Sequence, residues 1–303
     1  MRRRRLISRN SEQFTSRDNW WALIFNTPMI LVMATMVLVP VIGTIVNSFY
    51  RNVTFLPGEF SFPDNYFRLF SDPRFWQAVK FTLIFTGFSV AFEVVFGLIF
   101  ALLLNEVLPG RGLWRVLLLM PWAIPNSVSA RVWQLIYNYQ FGVLNFIIMR
   151  LGISSHPINW LGTQSGALAA VLVSDIWKMT PFVAIILLAG LSLIPKDIYL
   201  QAMVDGANIR QRFFNITIYL IRPALVVAVL FRTIDSIRVF DLLYVLTGGG
   251  PGGSTTSLSL YAYNYYLAGD FGYGSAISVI VFIIAFIISL AYIRLGHFGD
   301  AVQ

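Results

Sequence analysis

The sequence predicts an all-α integral membrane protein with six transmembrane helices and both termini on the cytoplasmic side. Of its 303 residues, 57% are hydrophobic and only 12% are charged, against about 25% charged in a soluble globule. So little charge does not cover a water-facing surface, and lipid must solvate much of the chain. There are no cysteines, which excludes disulfide scaffolds, thiol chemistry and cysteine metal sites. Six stretches are apolar over the roughly 20 residues that a helix needs to cross the hydrocarbon core.

A basic segment, 1–19, comes first. It carries Arg2, Arg3, Arg4, Arg5, Arg9 and Arg17 against Glu12 and Asp18. Just ahead of an apolar run, this cluster reads as an orientation signal rather than a nucleic-acid patch. The run itself is too long for the apolar region of a cleaved signal peptide. The first span covers 20–49, and an outer loop follows at 50–75. A helical core, 76–295, holds the other spans: Trp76 to Leu104, Leu113 to Tyr137, Gly166 to Ile194, Ile216 to Val245 and Gly274 to Leu295. Pro121, Pro125 and Arg131 interrupt the third span, and Arg232, Asp235, Arg238 and Asp241 interrupt the fifth. A short tail, 296–303, ends on the cytoplasmic side. With this topology the inner side gathers twelve Lys and Arg, against Arg51, Arg68, Arg74 and Arg150 outside, as the positive-inside rule requires. The outer loops, 50–75, 139–165 and 246–273, are too small for a separate folded domain.

The connection between the fourth and fifth spans, 195–215, is longer than packed helices need, and it is patterned as structure. Pro195 ends the span and Asp197 is placed to cap a new helix. Ile198 to Val204 makes about two turns, with Tyr199 and Met203 spaced to share a face. Asp205 then leads to Gly206, where a tight bend needs positive φ, and a second short helix carries Arg210 and Arg212 back toward the bilayer. The result is a helical knob that either inserts into a groove on a soluble partner or rests among the headgroups.

At these residues the chain resembles the sugar-type permease subunits of bacterial ABC importers, whose loop follows the pattern Glu-Ala-Ala-x-x-x-Gly. Asp205-Gly206-Ala207 matches, Ala202 takes the second Ala position, and Ile216 falls ten residues after Gly206. Leu200 stands where Glu is usual, Gln201 where the first Ala is usual, and Tyr219 where Pro is usual. The similarity continues through Ile221-Arg222-Pro223-Ala224-Leu225, Phe240 to Thr247, Gly248-Gly249-Gly250-Pro251, Thr255 to Tyr266 and Gly272 to Ala276. It implies the type I ABC importer permease fold, a second homologous permease, two ABC ATPase subunits, an extracytoplasmic solute-binding protein and a sugar substrate, in a bacterial inner membrane. It also implies that Asp197, Tyr199, Leu200, Gln201, Ala202, Met203, Asp205, Gly206, Ala207, Arg210 and Arg212 couple to the ATPase.

Polar residues inside the spans are the candidates for the substrate path, because a charge at mid-bilayer costs about 2.5–3.5 kcal/mol and persists only when paired or facing a polar cavity. Asp235, Arg238 and Asp241 are spaced for successive i, i+3 pairs on one helix, and Asp175 is spaced likewise with Lys178. Glu93 has no partner nearby in sequence. Each of these is either a structural pair or part of the path. Asn126 and Ser129 follow the proline breaks and suit hydrogen bonding in an unwound helix. Trp133, Tyr137, Trp177 and Tyr244 are aromatic faces that stack on sugars, although such residues also gather at membrane interfaces.

Other motifs carry less. The segment GGGPGGST, 248–255, lacks the Lys and the strand-to-helix setting of a phosphate loop and reads as a flexible outer turn. His156 and His297 are the only histidines and are not at metal-ligand spacing. No catalytic residue, metal or cofactor is expected in this chain; ATP and Mg would be used by partner subunits. A stand-alone secondary transporter or channel is the alternative, though no inverted repeat is visible. A membrane glycosyltransferase would need an acidic loop site that Glu59, Asp64 and Asp72 do not form.

Overall fold

A computed structural model of the chain describes residues 16–54, 58–106 and 109–295, with backbone alone at 16–19, 22, 23, 293 and 295. Arg2 to Arg9 and Glu12 of the basic segment, and the 296–303 tail with His297, lie outside the described residues. The chain opens with helix α1 (Ser16–Met33), a π-helical turn (Ala34–Leu38) and α2 (Val39–Asn47). An antiparallel pair, β1 (Tyr50–Arg51) and β2 (Glu59–Phe60), and α3 (Asp64–Ser71) occupy the first loop. The long helix α4 (Pro73–Asn105) starts with Pro at its first position and an Asp72 cap that accepts from the Arg74 N–H at 2.9 Å. Then come α5 (Arg111–Ala123), α6 (Asn126–Ile136), α7 (Val143–Arg150) and α8 (Gln164–Ser192). The 195–215 loop forms α9 (Lys196–Val204), α10 (Ile209–Arg212) and most of a π-helical turn (Phe213–Thr217). The chain ends with α11 (Ile218–Ile237), α12 (Asp241–Leu246), α13 (Leu258–Leu267) and α14 (Phe271–Leu295).

Among the described residues, five helical runs are long and apolar enough to cross a membrane: Ile24–Asn47, Pro73–Asn105, Gln164–Ser192, Ile209–Ile237 and Phe271–Tyr292. The third expected span is not one of them. Proline breaks it: Pro125 holds Ile124 in extended backbone (φ −72, ψ 133), and α5 and α6 are separate helices. The fifth span also stops early, since α11 ends at Ile237 and Val239 and Phe240 are irregular.

The core is stacked along α4. Near its start, Leu69, Phe75 and Ala78 pack with Tyr261, Tyr273 and Ile277 of α13 and α14. Further along, Phe81 and Phe85 meet Ala170, Val171 and Leu243. At the far end Ala101 and Leu104 meet Val183, Leu187, Leu191 and Ile221. Early residues of α4 therefore lie beside early residues of α8, so the two run parallel, and α11 runs against both. Gly97 allows the close approach of α4 and α8: a Cβ there would sit 2.7 Å from Val183 Cγ1. In the most apolar stretch of Ile24–Asn47 no residue is buried within the chain, although α2 packs against α14, so its outward side chains are solvated by lipid or another subunit.

The 248–255 turn is tied down. Thr255 is fully buried; its hydroxyl lies 2.8 Å from that of Thr247 and donates to the Gly250 carbonyl at 2.6 Å. Paired hydroxyls and backbone bonds hold this segment where sequence composition suggests a loose linker.

Candidate functional site

Midway along the bundle, charged groups from three helices meet. Arg232 of α11 is 2% exposed and donates from Nε to Glu93 Oε2 at 2.5 Å and from Nη2 to Glu93 Oε1 at 2.8 Å. Nη2 also reaches Asp175 Oδ2 of α8 at 3.1 Å and Ser236 Oγ at 3.1 Å, while Nη1 donates to Asp235 Oδ2 at 2.7 Å. Ser89 Oγ sits between the carboxylates, 2.9 Å from Glu93 Oε1 and 2.5 Å from Asp175 Oδ2. The planar guanidinium is the side chain suited to this task, because it holds one carboxylate by two parallel bonds and has N–H groups left for others. The cluster joins α4, α8 and α11 where they cross.

Lys178 has a different task from the expected pair with Asp175. Its ammonium donates to the carbonyls of Pro121 at 3.4 Å, Trp122 at 3.3 Å and Ile124. Pro125 has no N–H, so the Pro121 carbonyl loses its helical donor, and the break frees those that follow. A cation at the carbonyl end of α5 satisfies these groups and is favoured by the helix dipole. Asp175 turns to Arg232 instead.

Beside this cluster is a cavity of about 350 Å³, lined by Asn126, Asp235, Arg238, Phe240 and Asp241 together with Lys178. Arg238 pairs with Asp235 at 3.7 Å. The second expected pair, Arg238 with Asp241, does not form. Because α11 ends at Ile237, helical spacing no longer holds; Asp241 opens α12 and accepts from Asn126 Nδ2 at 3.4 Å. Tyr244 does not line the cavity but stacks on Phe240, which does, at 5.5 Å, and Tyr263 meets both rings edge-on at 4.8 and 5.4 Å. Phe240, Arg238 and Tyr263 also line an adjoining hollow of about 320 Å³.

The remaining candidates lie elsewhere. Ser129 is buried, with its hydroxyl unpaired. Trp133 stacks on Tyr137 at 5.3 Å and meets Trp177 edge-on at 5.6 Å, packed against the core. Tyr137 is itself buried and donates to the Ala170 carbonyl at 3.2 Å.

In the 195–215 loop, Gly206 has φ +79, as its bend requires. Asp197 does not cap α9: Pro195 holds the cap position and Asp197 lies in the first turn, where its charge still suits the helix dipole. The cap that does form is on α10, where Asn208 and Gln211 make a reciprocal capping box at 2.8 and 2.9 Å. Tyr199 and Met203 do not share an environment. The Tyr199 hydroxyl lies 3.0 Å from Thr217 Oγ1 and fastens α9 to the root of α11, whereas Met203 is exposed. With Leu200, Val204 and Ile209 it forms an apolar tip, 46–87% exposed. Gln201, Asp205 and Arg210 are exposed around it, Ala202 and Ala207 are half-buried, and Arg212 turns inward.

The chain matches the family model for the binding-protein-dependent transport system inner membrane component over residues 93–297. It is 48% identical over 272 residues to the trehalose/maltose transport system permease protein MalF of Thermococcus litoralis, covering 89% of this chain and 92% of that protein. It is 37% identical over 288 residues to the sulfoquinovosyl glycerol transport system permease protein SmoG of Agrobacterium fabrum, covering 93% and 92%. In three dimensions it superposes with TM-score 0.81 on a chain of a bacterial alginate ABC transporter solved in complex with an alginate pentasaccharide-bound periplasmic protein. That match has 24% identity and covers 93% of this chain and 95% of the other, which establishes the fold. The stand-alone transporter and the glycosyltransferase are thereby set aside. The chain belongs to the binding-protein-dependent transport system inner membrane components: it is an ABC transporter permease of the inner membrane, not an enzyme.

Proposed function

We propose that this permease forms half of the translocation pore of an ATP-driven sugar importer. Its substrate class would be disaccharides or related polyhydroxylated solutes. The observation that carries the reading is the cavity at the end of α11, where Asn126, Asp235, Arg238 and Asp241 place donors and acceptors next to Phe240, whose ring is stacked on Tyr244. Sugars are held by that pairing, hydroxyls by planar polar groups and ring C–H faces by aromatics. The names of the two relatives support the class.

In this reading the chain crosses six times with both termini in the cytoplasm, the broken α5 and α6 pair serving as the third crossing. A second permease completes the pore, two ATPase subunits bind ATP and Mg, and an extracytoplasmic protein delivers the sugar. The apolar tip on α9 and α10 inserts into the ATPase. When ATP closes the ATPase dimer, the tip moves with it, and the Tyr199 contact to Thr217 passes that motion to α11, whose other end borders the cavity. ATP must do this work, since sugar binding alone shifts populations only by its differential affinity for the two states.

Uptake of labelled trehalose and maltose by the reconstituted complex, with ATP inside or outside the vesicles, tests the reading. Asp241→Ala and Arg238→Ala are expected to lower uptake at least tenfold while the subunits stay associated. Unchanged uptake in both variants would remove the cavity from the path.

A further inference from the structure

A second cavity, of about 530 Å³, lies at the opposite end of the bundle, where α4, α5, α8 and the 195–215 loop converge. Four basic side chains line it, Arg111, Arg115, Lys196 and Arg212, against the single acid Glu106. Arg111 is engaged, donating to the Glu106 carbonyl at 2.8 Å and the Asn105 carbonyl at 2.5 Å at the end of α4. Among the described residues, Arg115, Lys196 and Arg212 make no ion pair. Arg212 Nε is buried and has no hydrogen-bond partner. A guanidinium N–H withdrawn from water and left unpaired is unfavourable, and an anion in the cavity would satisfy it.

The surroundings identify the anion. Leu102, Leu191 and Ile194 add apolar lining to the cavity, and the two helices that contribute Leu102 and Arg115 to it, α4 and α5, also carry Leu103, Leu113, Trp114 and Leu117, each 45–63% exposed. A basic cavity on helices that expose large apolar side chains, at the end of membrane-crossing helices, matches a molecule with a phosphate at one end and hydrocarbon at the other. We propose that this cavity binds the phosphate headgroup of an anionic phospholipid. The headgroup would join Arg115 on α5 to Lys196 and Arg212 on the loop, so that lipid braces the loop against the bundle. The site is separate from the sugar cavity, and it rests on the chain's place in a membrane rather than on its substrate.

Native mass spectrometry of the assembled transporter, released from nanodiscs of phosphatidylglycerol or phosphatidylcholine, tests this. The wild type should retain phosphatidylglycerol and not phosphatidylcholine. Each basic group near a membrane surface strengthens attraction about fivefold, so Arg115→Gln/Lys196→Gln should weaken retention roughly 25-fold. Both side chains are exposed, so that variant should fold; Arg212→Gln should act in the same direction. Equal retention in the double variant would overturn the proposal. So would displacement of the lipid by millimolar inorganic phosphate, or a photocrosslinker at position 115 that captures an ATPase subunit in place of lipid. Sugar uptake in the same nanodisc lipids, measured separately in vesicles, distinguishes this outcome from failure of the transport reading.

Discussion

Arg232 on α11 grips both carboxylate oxygens of Glu93 on α4, at 2.5 and 2.8 Å, with neither side chain exposed beyond 2%. Charges withdrawn from water survive only with such geometry, and here the geometry ties α4 to α8 and α11, both of which line the cavity of about 350 Å³. Asp235 links the two: one oxygen is held by Arg232, and the side chain, half exposed, faces the cavity toward Arg238.

Removing one partner leaves the other charge stranded. Arg232→Gln is expected to cost about 3–5 kcal/mol, seen as a lower unfolding temperature of the detergent-solubilised permease. Replacing both partners, Arg232→Met with Glu93→Leu, should recover part of that loss. Asp175 still lacks its partner in the double variant, so recovery should be incomplete.

Lys178→Met keeps length and apolar bulk while removing the donor to the α5 carbonyls. Freed carbonyls at the Pro125 break should destabilise the α5 and α6 pair by about 1–3 kcal/mol. Faster hydrogen exchange in residues 121–130 would report it, with α8 itself unchanged.

Gly97→Ala places a methyl 2.7 Å from Val183 Cγ1 and 3.2 Å from the Ala184 backbone nitrogen. The backbone cannot yield as a side-chain tip can, so a cost of about 1–3 kcal/mol is expected. Gly87, whose added Cβ meets nothing within 4 Å, is the control and should tolerate alanine.

At the other end of α4, Asp72 caps the helix and accepts from the hydroxyls of Tyr261 at 2.5 Å and Tyr273 at 3.4 Å. Burial pushes its carboxyl upward, but the bonds from Tyr261 and the Arg74 N–H outweigh that and hold it below the ordinary carboxylate range. A lowered folded value means stabilisation that is complete above about pH 4 and lost as pH falls through the folded value. Unfolding temperatures measured between pH 3 and 7, taken roughly across the range where carboxylates titrate, should show this acid limb in the wild type. Asp72→Asn should be less stable at neutral pH, with a shallower limb.

The loop tip should bind by apolar burial. Leu200→Ala and Met203→Ala are each expected to weaken ATPase association by about 1–3 kcal/mol, as large apolar contacts do at an interface. Leu200→Glu should weaken it further unless the ATPase offers a cation there. Since the chain has no cysteine, a single cysteine at position 203 gives a clean crosslinking readout.

Much of this was legible from residue order. Apolar length marks the long helices, and the Gly206 bend and its flanking turns follow from local chemistry that needs no tertiary contact. Local chemistry accounts for two of the differences, the Pro125 break in the third span and Pro195 at the cap of α9; the differences among the charged groups arise because their partners are distant in sequence. Asp175 and Lys178 are well spaced for each other, yet buried Arg232 and the orphaned α5 carbonyls compete for them more strongly. Glu93 and Arg232 are 139 residues apart, so no helical periodicity connects them. The available signal was that lone intramembrane charges of opposite sign on different spans need one another. Apolar composition runs on past Ile237 and places Asp241 in the fifth span, whereas the structure starts a new helix there, because the bend at 238–240 is made by tertiary contacts such as Ser257 Oγ donating to the Val239 carbonyl at 2.6 Å.

This chain is expected to work as one subunit of an ATP-driven importer. Gentle purification of the tagged chain from native membranes, with mass spectrometry of what accompanies it, tests that directly. A second permease and an ABC ATPase should be recovered in stoichiometric amounts, with loss of the ATPase when 198–206 is deleted. Recovery of the chain alone, under conditions that preserve other membrane complexes, would contradict it.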